Sequence, residues 1–216
     1  QLIKGTPSGR RRFLDMEISQ TSATYYHQLM QYNRLLQQRN AILKEYRGKQ
    51  NIPLEEWDLQ LADMASFIVK KRLESLKKIN LLIDLMNRKL TGGLENLTIG
   101  YEQPYMDNGS LEYTKEGFYE RIKAALPQDR HRMTTSVGPH RDDLRFFSDA
   151  MDLKKFGSQG QQRTAVLSLK LSELEFIKSE VGEYPVLLLD DVLSEFIAVY
   201  SQTHSNIYYY YRYSRF

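Results

Sequence analysis

Residues 156–191 read FGSQGQQRTAVLSLKLSELEFIKSEVGEYPVLLLDD. A polar, glycine-containing turn leads into a helical pattern, and an apolar run then ends in two aspartates. Ser158 is placed to cap the helix. The free amides at such a helix start, together with the dipole, favour an anion. Gly160 lets a phosphate approach the backbone closely. Gln161 and Gln162 offer neutral donors, and Arg163 a charged one. A capped helix start by itself is just as well an ordinary structural feature. Asp190 and Asp191 follow PVLLL, a run apolar enough for a fully buried strand. Carboxylates at the carboxyl end of such a strand lie where α/β sheets contact ligands. One could hold hydrated Mg²⁺ and the other polarise a water. They could equally do no more than cap the strand.

Two other clusters carry charge. TTSVGPHRDDLRFF brings together His140, Arg141, Asp142 and Asp143. They read either as a catalytic cluster or as an Arg–Asp pair closing a turn. Arg10, Arg11 and Arg12 are consecutive in a segment, 1–50, that holds nine Lys/Arg against three Asp/Glu. Phosphate contacts need only positive charge, so this triplet is a candidate DNA-proximal face. A solvated surface is the plainer reading.

Helices must position these groups. Leu29, Leu36 and Leu43 fall seven apart, with Tyr25, Tyr32 and Arg39 four residues before each. This predicts a helix starting near Asp15 or Ser22 and stopping at Gly48. A second stripe, Leu61, Ala65, Ile68, Ser75, Ile79, Leu82 and Met86, has Arg72 in its one gap. It predicts a long helix from about Leu54 to the Gly92–Gly93 stop. Two such helices joined by a short loop predict an antiparallel hairpin. Beyond it, LENLTIGYE reads as a strand, and SLEYTKEGFYERIKAAL as a helix ended by Pro127. HRMTTSVGPHRDDLRFF reads as two short strands about a Gly-Pro turn. The spacing after the opening turn predicts a helix over about 161–179, then a strand over 185–189. The divisions are 1–92, helical; 93–195, α/β; and 196–216, a tyrosine-rich tail. The tail fits an aromatic strand, a base-stacking surface or sequence unrelated to the fold.

Composition bounds the class. With 26% charged and 41% hydrophobic residues among 216, the chain reads as soluble and globular. No apolar run approaches the ~20 residues of a membrane span. There is no cysteine, which excludes disulfides and thiolate metal sites and fits a cytoplasmic address. The net charge of +3 implies no particular partner.

The order of signature-like loop, helix and acidic strand end resembles that of ABC-type ATPases. The strings FLDMEISQ, YNRLLQQRN, GPHRDDL, GSQGQQRTAVLSLKLSE and EYPVLLLDDVLSE together resemble the RecF family of bacterial recombination-repair proteins, which is related to SMC proteins. The resemblance spans roughly 5–195. It implies the α/β lobe of an ABC-type ATPase plus a helical arm, with ATP and Mg²⁺ as cofactors and DNA as partner. It further implies ATP-dependent homodimers that help load recombinase at single-strand gaps with RecO and RecR. By this resemblance Ser158, Gln159 and Gly160 would contact ATP held by the other subunit, and Gln161 would support that loop. Asp190 would hold Mg²⁺, and Asp191 would stand at the water-activating position. Ser194 and Glu195 would begin the D-loop, although Phe196 and Ile197 stand where the family has Leu-Asp. No G-x-x-x-x-G-K-[ST] phosphate loop occurs in the chain, so ATP hydrolysis is expected only of a longer protein that supplies one. The alternative is a nonenzymatic DNA-binding or dimerisation module with vestigial ATPase motifs.

Overall fold

The computed structural model describes residues 2–49, 52–105 and 113–185, together with the backbone of 187–189 and 209–211. The first element, α1, spans Pro7–Thr21. Proline fits the first helical turn, and Thr6 Oγ1 accepts from the Gly9 amide at 3.2 Å. The helix therefore begins upstream of the expected Asp15 or Ser22. Ser22 instead breaks the chain with extended backbone and caps α2, Ala23–Glu45, accepting from the Tyr25 amide at 3.2 Å. What periodicity suggests as one helix is two, because a serine hydroxyl can close one helix end while the chain changes direction.

α3, Glu55–Thr91, has 37 residues and ends on the left-handed Gly92, as expected. At about 1.5 Å per residue it is about 55 Å long. It runs antiparallel to α2. Arg39, late in α2, meets Asp58, early in α3, whereas Tyr25, early in α2, meets Arg72.

Strand β1, Leu97–Glu102, pairs antiparallel with β2, Asp143–Ser148, which pairs with the two-residue β3, Met151–Asp152. Leu97 and Ile99 on β1, and Leu144 and Phe146 on β2, alternate inward. Between β1 and β2 lie α4, Lys115–Ala124, and α5, Leu126–Arg132. Pro127 opens α5 where the sequence suggests that it would close a helix, since its fixed φ suits the first turn. Only the second of the two strands expected around Gly138-Pro139 forms. The first half, 133–142, is a loop entered through Met133 at φ 53°.

α6 covers Gln159–Val181. It is apolar on several sides: Ala165, Leu167, Leu169, Leu171, Leu174 and Phe176 are all buried, some against α3 and some towards α1. A helix surrounded by neighbours needs no narrow stripe. The short β4, Leu187–Leu189, pairs parallel with β5, Tyr209–Tyr211, so three tail tyrosines have strand backbone. One buried cluster runs from Ile3 and Leu14 through Ile68, Ile83 and Ile99 to Phe118, Phe146 and Phe176. The helices before Gly92 and the strands after it share this cluster, which passes through the proposed division at 92/93.

Candidate functional site

The turn before α6 is built by its own residues. Leu153 O lies 2.7 Å from where a Cβ on Gly157 would stand, so only glycine fits there without a shift. Gln162 Nε2 donates to Leu153 O at 2.8 Å and to Gly157 O at 3.0 Å, holding the turn from below. The sequence offers this amide to a ligand, and the fold uses it internally. Ser158 caps the helix as expected, within a full capping box. The Gln161 amide donates to Ser158 Oγ at 3.2 Å, and the Ser158 amide donates to Gln161 Oε1 at 3.0 Å. This leaves the amides of Gln159 and Gly160 at the open helix end. Ser158, Gln159, Gly160 and Arg163 are all exposed.

Gly157 and Gly160 differ in what they require. A Cβ on Gly160 would meet nothing nearer than Ser158 Oγ at 3.9 Å, and its φ is not left-handed. The chain itself has ample room for a side chain there.

Gln161 is oriented by a residue that sequence reasoning missed. Its Nε2 donates to Glu95 Oε1 at 3.0 Å, so its Oε1 faces the Ser158 amide. Glu95 Oε2 accepts from Ser148 Oγ at 3.0 Å, and Glu95 O accepts from Asn87 Nδ2 at 2.9 Å. Asn87 Oδ1 in turn accepts from Ser168 Oγ at 3.0 Å on α6. The end of α3, the start of β1, strand β2 and α6 thus meet around one carboxylate. A lone glutamate before a strand carries no local signal of this.

The 133–143 loop is a structural junction. His140 and Arg141 both turn to Thr135 O, whereas Asp142 turns to Tyr101 and Arg72. His140 Nε2 donates to Thr135 O at 3.0 Å, so its Nδ1 accepts from Tyr32 Oη at 2.6 Å. Burial, the largest cause, lowers the His140 pKa to about 4, and keeps the ring neutral. Gly138 stands at φ 130°, where a Cβ would lie 2.3 Å from Tyr32 Oη. Arg141 Nη2 donates to Thr135 O at 2.6 Å. Asp142 is fully buried, and its Oδ2 accepts from Tyr101 Oη and from Arg72 Nη1. Burial raises its pKa, against the pull of Arg72.

Three buried arginines clamp this loop to the helices. Arg72 binds both carboxylate oxygens of Asp15, at 2.8 and 2.9 Å, and Pro139 O at 2.7 Å. Arg39 reaches Asp58 and Asp129, each at 2.6 Å, and Thr135 Oγ1 at 2.9 Å. Arg10 forms a two-pronged pair with Asp143 at 2.8 and 2.7 Å and is 2% exposed. The three arginines of the candidate DNA face are thus placed differently. Arg10 is interior, Arg11 Nη1 is held by Asp142 O at 2.6 Å, and only Arg12 is exposed. An arginine beside a fixed carboxylate forms a structural pair, which a run of letters does not reveal.

Asp190, Asp191, Ser194 and Glu195 lie outside the described residues. Among the described residues, no helix is long and apolar enough to cross a membrane.

No family model matches the chain. It is 49% identical over 197 residues to the DNA replication and repair protein RecF of Alkaliphilus oremlandii (strain OhILAs), covering 90% of this chain and 54% of the relative. The chain belongs to the RecF family. Its identity to the RecF of Clostridium beijerinckii (strain ATCC 51743 / NCIMB 8052) is 45% over 196 residues, covering 90% of this chain and 52% of that protein. With the RecF of Halalkalibacterium halodurans it is 45% over 207 residues, covering 94% and 56%. Two solved structures of the recombination mediator protein RecF in the RecFOR pathway superpose closely. RecF-ATP matches with TM-score 0.88 and 34% identity, covering 99% of this chain and 59% of that one. RecF-ATPrS matches with TM-score 0.87 and 33% identity, covering 99% and 60%. The fold is accordingly the α/β lobe of an ABC-type ATPase with a helical arm. The chain spans about half the length of the RecF relatives it matches.

Proposed function

We propose that this chain contributes the signature-motif half of a composite ATP site in a RecF-type DNA-repair ATPase. The observation that carries this is the open start of α6. Ser158 and Gln161 use one another as caps, which presents the Gln159 and Gly160 amides outward. Gly160 is free of intrachain crowding. These groups fit a polyphosphate anion arriving from outside the chain. ATP supplies the phosphoanhydride and Mg²⁺ neutralises its charge. The chain's own part is positioning: Ser158, Gln159 and Gly160 contact phosphate oxygens, Gln161 supports them, and Glu95 fixes the Gln161 amide. Asp190 is the proposed Mg²⁺ holder, Asp191 the residue polarising water, and Ser194 and Glu195 the D-loop across the dimer.

In this reading ATP joins two copies, and the dimer acts on DNA in recombinational repair, assisting recombinase loading at single-strand gaps with RecO and RecR. The RecF relatives are named as DNA replication and repair proteins, which supports a DNA partner and a cytoplasmic address. The test is light scattering of the protein, over its whole reading frame, with and without ATP. ATP should roughly double the mass, and Ser158→Arg, which fills the open end with a cation and a long side chain, should abolish the change. Dimers of equal strength without ATP would replace this reading with that of a nonenzymatic dimerisation module.

A further inference from the structure

Two groups of arginines are used differently by the fold. Arg10, Arg39 and Arg72 are buried and paired to carboxylates. Arg121, Arg132 and Arg141 make no ion pair among the described residues. All three line one open groove of about 640 Å³ between α4, α5 and the 133–141 loop, walled by Tyr105 and Val137. The hydrogen bonds of Arg121 and Arg141 go to neutral oxygens. Arg121 Nη1 donates to Tyr105 O at 2.6 Å, and Arg141 donates to Thr135 O at 3.0 and 2.6 Å. Arg121 Nε is buried and has no partner among the described residues. Carbonyl oxygens hold the guanidinium planes in place but leave their charge uncompensated. Among the described residues, Glu120 is the one carboxylate lining the groove, against three arginines.

On its face away from Gln128 and Arg132, α5 meets the loop that follows α2. Arg130 on α5 donates to Lys49 O, which brings the loop carrying the exposed Lys49 against the same helix. A second groove of about 480 Å³ shares Pro104 and Arg141 with the first and carries Glu102 and Asp143. Both of those acids are already paired, with Arg145 and Arg10. The three arginines of the first groove come from α4, α5 and the loop after α5, so they are strung along an open groove. That shape suits a strand of linked phosphates better than a single compact anion.

We propose that the Arg121–Arg132–Arg141 groove binds the phosphodiester backbone of DNA. This rests on the reading above that DNA is the protein's partner, and it places the contact away from Arg10–Arg12. Recognition is by charge and is sequence-tolerant, with a wall aromatic available for packing.

The test is fluorescence anisotropy of labelled single-stranded and duplex DNA against the protein over a salt series. Arg132 is exposed and ends α5, so Arg132→Glu should leave the fold intact while weakening DNA binding about tenfold. It should also reduce the salt slope by about 0.9 for each phosphate that the protein no longer neutralises. Arg132→Lys should restore most of the affinity. Lys70→Glu, exposed on α3 outside the groove, should match wild type. Salt-sensitive DNA binding that Arg132→Glu and Arg141→Gln leave unchanged would overturn the groove and leave the DNA reading standing. No DNA binding by wild type would overturn both. Displacement of DNA by inorganic triphosphate at equal phosphate concentration would show a free-polyphosphate site and overturn the assignment to DNA.

Discussion

The junction around Arg72 and the open start of α6 hold similar chemistry and treat it in opposite ways. At the junction, each buried charge has a counter-charge, although Asp142 Oδ1 has no hydrogen-bond partner among the described residues. Arg72 satisfies Asp15, Asp142 and Pro139 O, and Gly138 yields its Cβ space to Tyr32. At α6 the chain satisfies only its own cap, and the outermost amides and Gly160 answer no internal need. A saturated site resists substitution because the fold depends on it. A site with unclaimed donors tolerates substitution by the fold's measure, and whatever constrains it comes from outside.

The sharpest way to break this contrast is at Arg72. Truncation to Ala leaves Asp15 and the fully buried Asp142 without their cation, and should cost about 3–5 kcal/mol in chemical denaturation. A loss under about 1 kcal/mol would mean that the junction is not saturated. Next comes Gly138→Ala, which adds a Cβ at left-handed φ against Tyr32 Oη. It should destabilise by about 1–3 kcal/mol and free His140 from its tyrosine partner, readable as a rise in the imidazole pKa by NMR. Gly160→Ala is the matched opposite. It should change stability by no more than about 0.5 kcal/mol, yet weaken ATP-dependent association in the light-scattering assay. Equal unfolding costs for the two glycines would erase the distinction.

A third region sharpens the comparison, because its charges are buried but unmatched. Glu17 on α1 and Glu173 on α6 each leave a buried oxygen without a partner, and Lys170 alone answers Glu173, at 2.8 Å. Burial, then Glu17, raises the Glu173 pKa to about 7. The folded chain holds this proton more tightly than the unfolded chain, whose carboxyl titrates near 4.5. Its stabilising effect is therefore complete below about pH 4.5 and is lost as pH rises through about 7. Glu173→Gln should raise the melting temperature relative to wild type at pH 8, with the difference vanishing near pH 4.5. A constant difference across that range would show the pair to be already compensated.

Ser158→Ala tests the cap itself. Loss of the cap should cost about 1 kcal/mol, and Glu95→Gln a few tenths more than an exposed substitution would. If Glu95→Gln also lowered ATP-dependent association with the unfolding midpoint unchanged, Glu95 would act by orienting Gln161.

Much of this was legible in order along the chain. The α6 cap, the Gly92 stop, the α3 stripe and β1 each rest on residues within a turn or two of one another, and local hydrogen bonding or periodicity suffices to find them. Arg39 and Arg72 were visible as cations sitting in apolar stripes, which flagged burial without naming partners. The missed features are those where distant segments meet. Asp15 reads as a helix start and is a mid-helix partner of Arg72. Glu95 reads as part of a strand and is the anchor of the α6 turn. Pro127 reads as a stop and acts as a start, because proline suits a first helical turn as readily as it ends an earlier one.

The sequence by itself determined most of the element types, α5 and the 133–142 loop excepted, the capped and glycine-bearing α6 turn and the family, since backbone preference and motif order are properties of neighbouring residues. Only the tertiary structure decided which charges are structural and which are available. A guanidinium's role depends on whether a carboxylate from another segment shares its desolvated space. That separated Arg10 from Arg132, two residues that look alike along the chain.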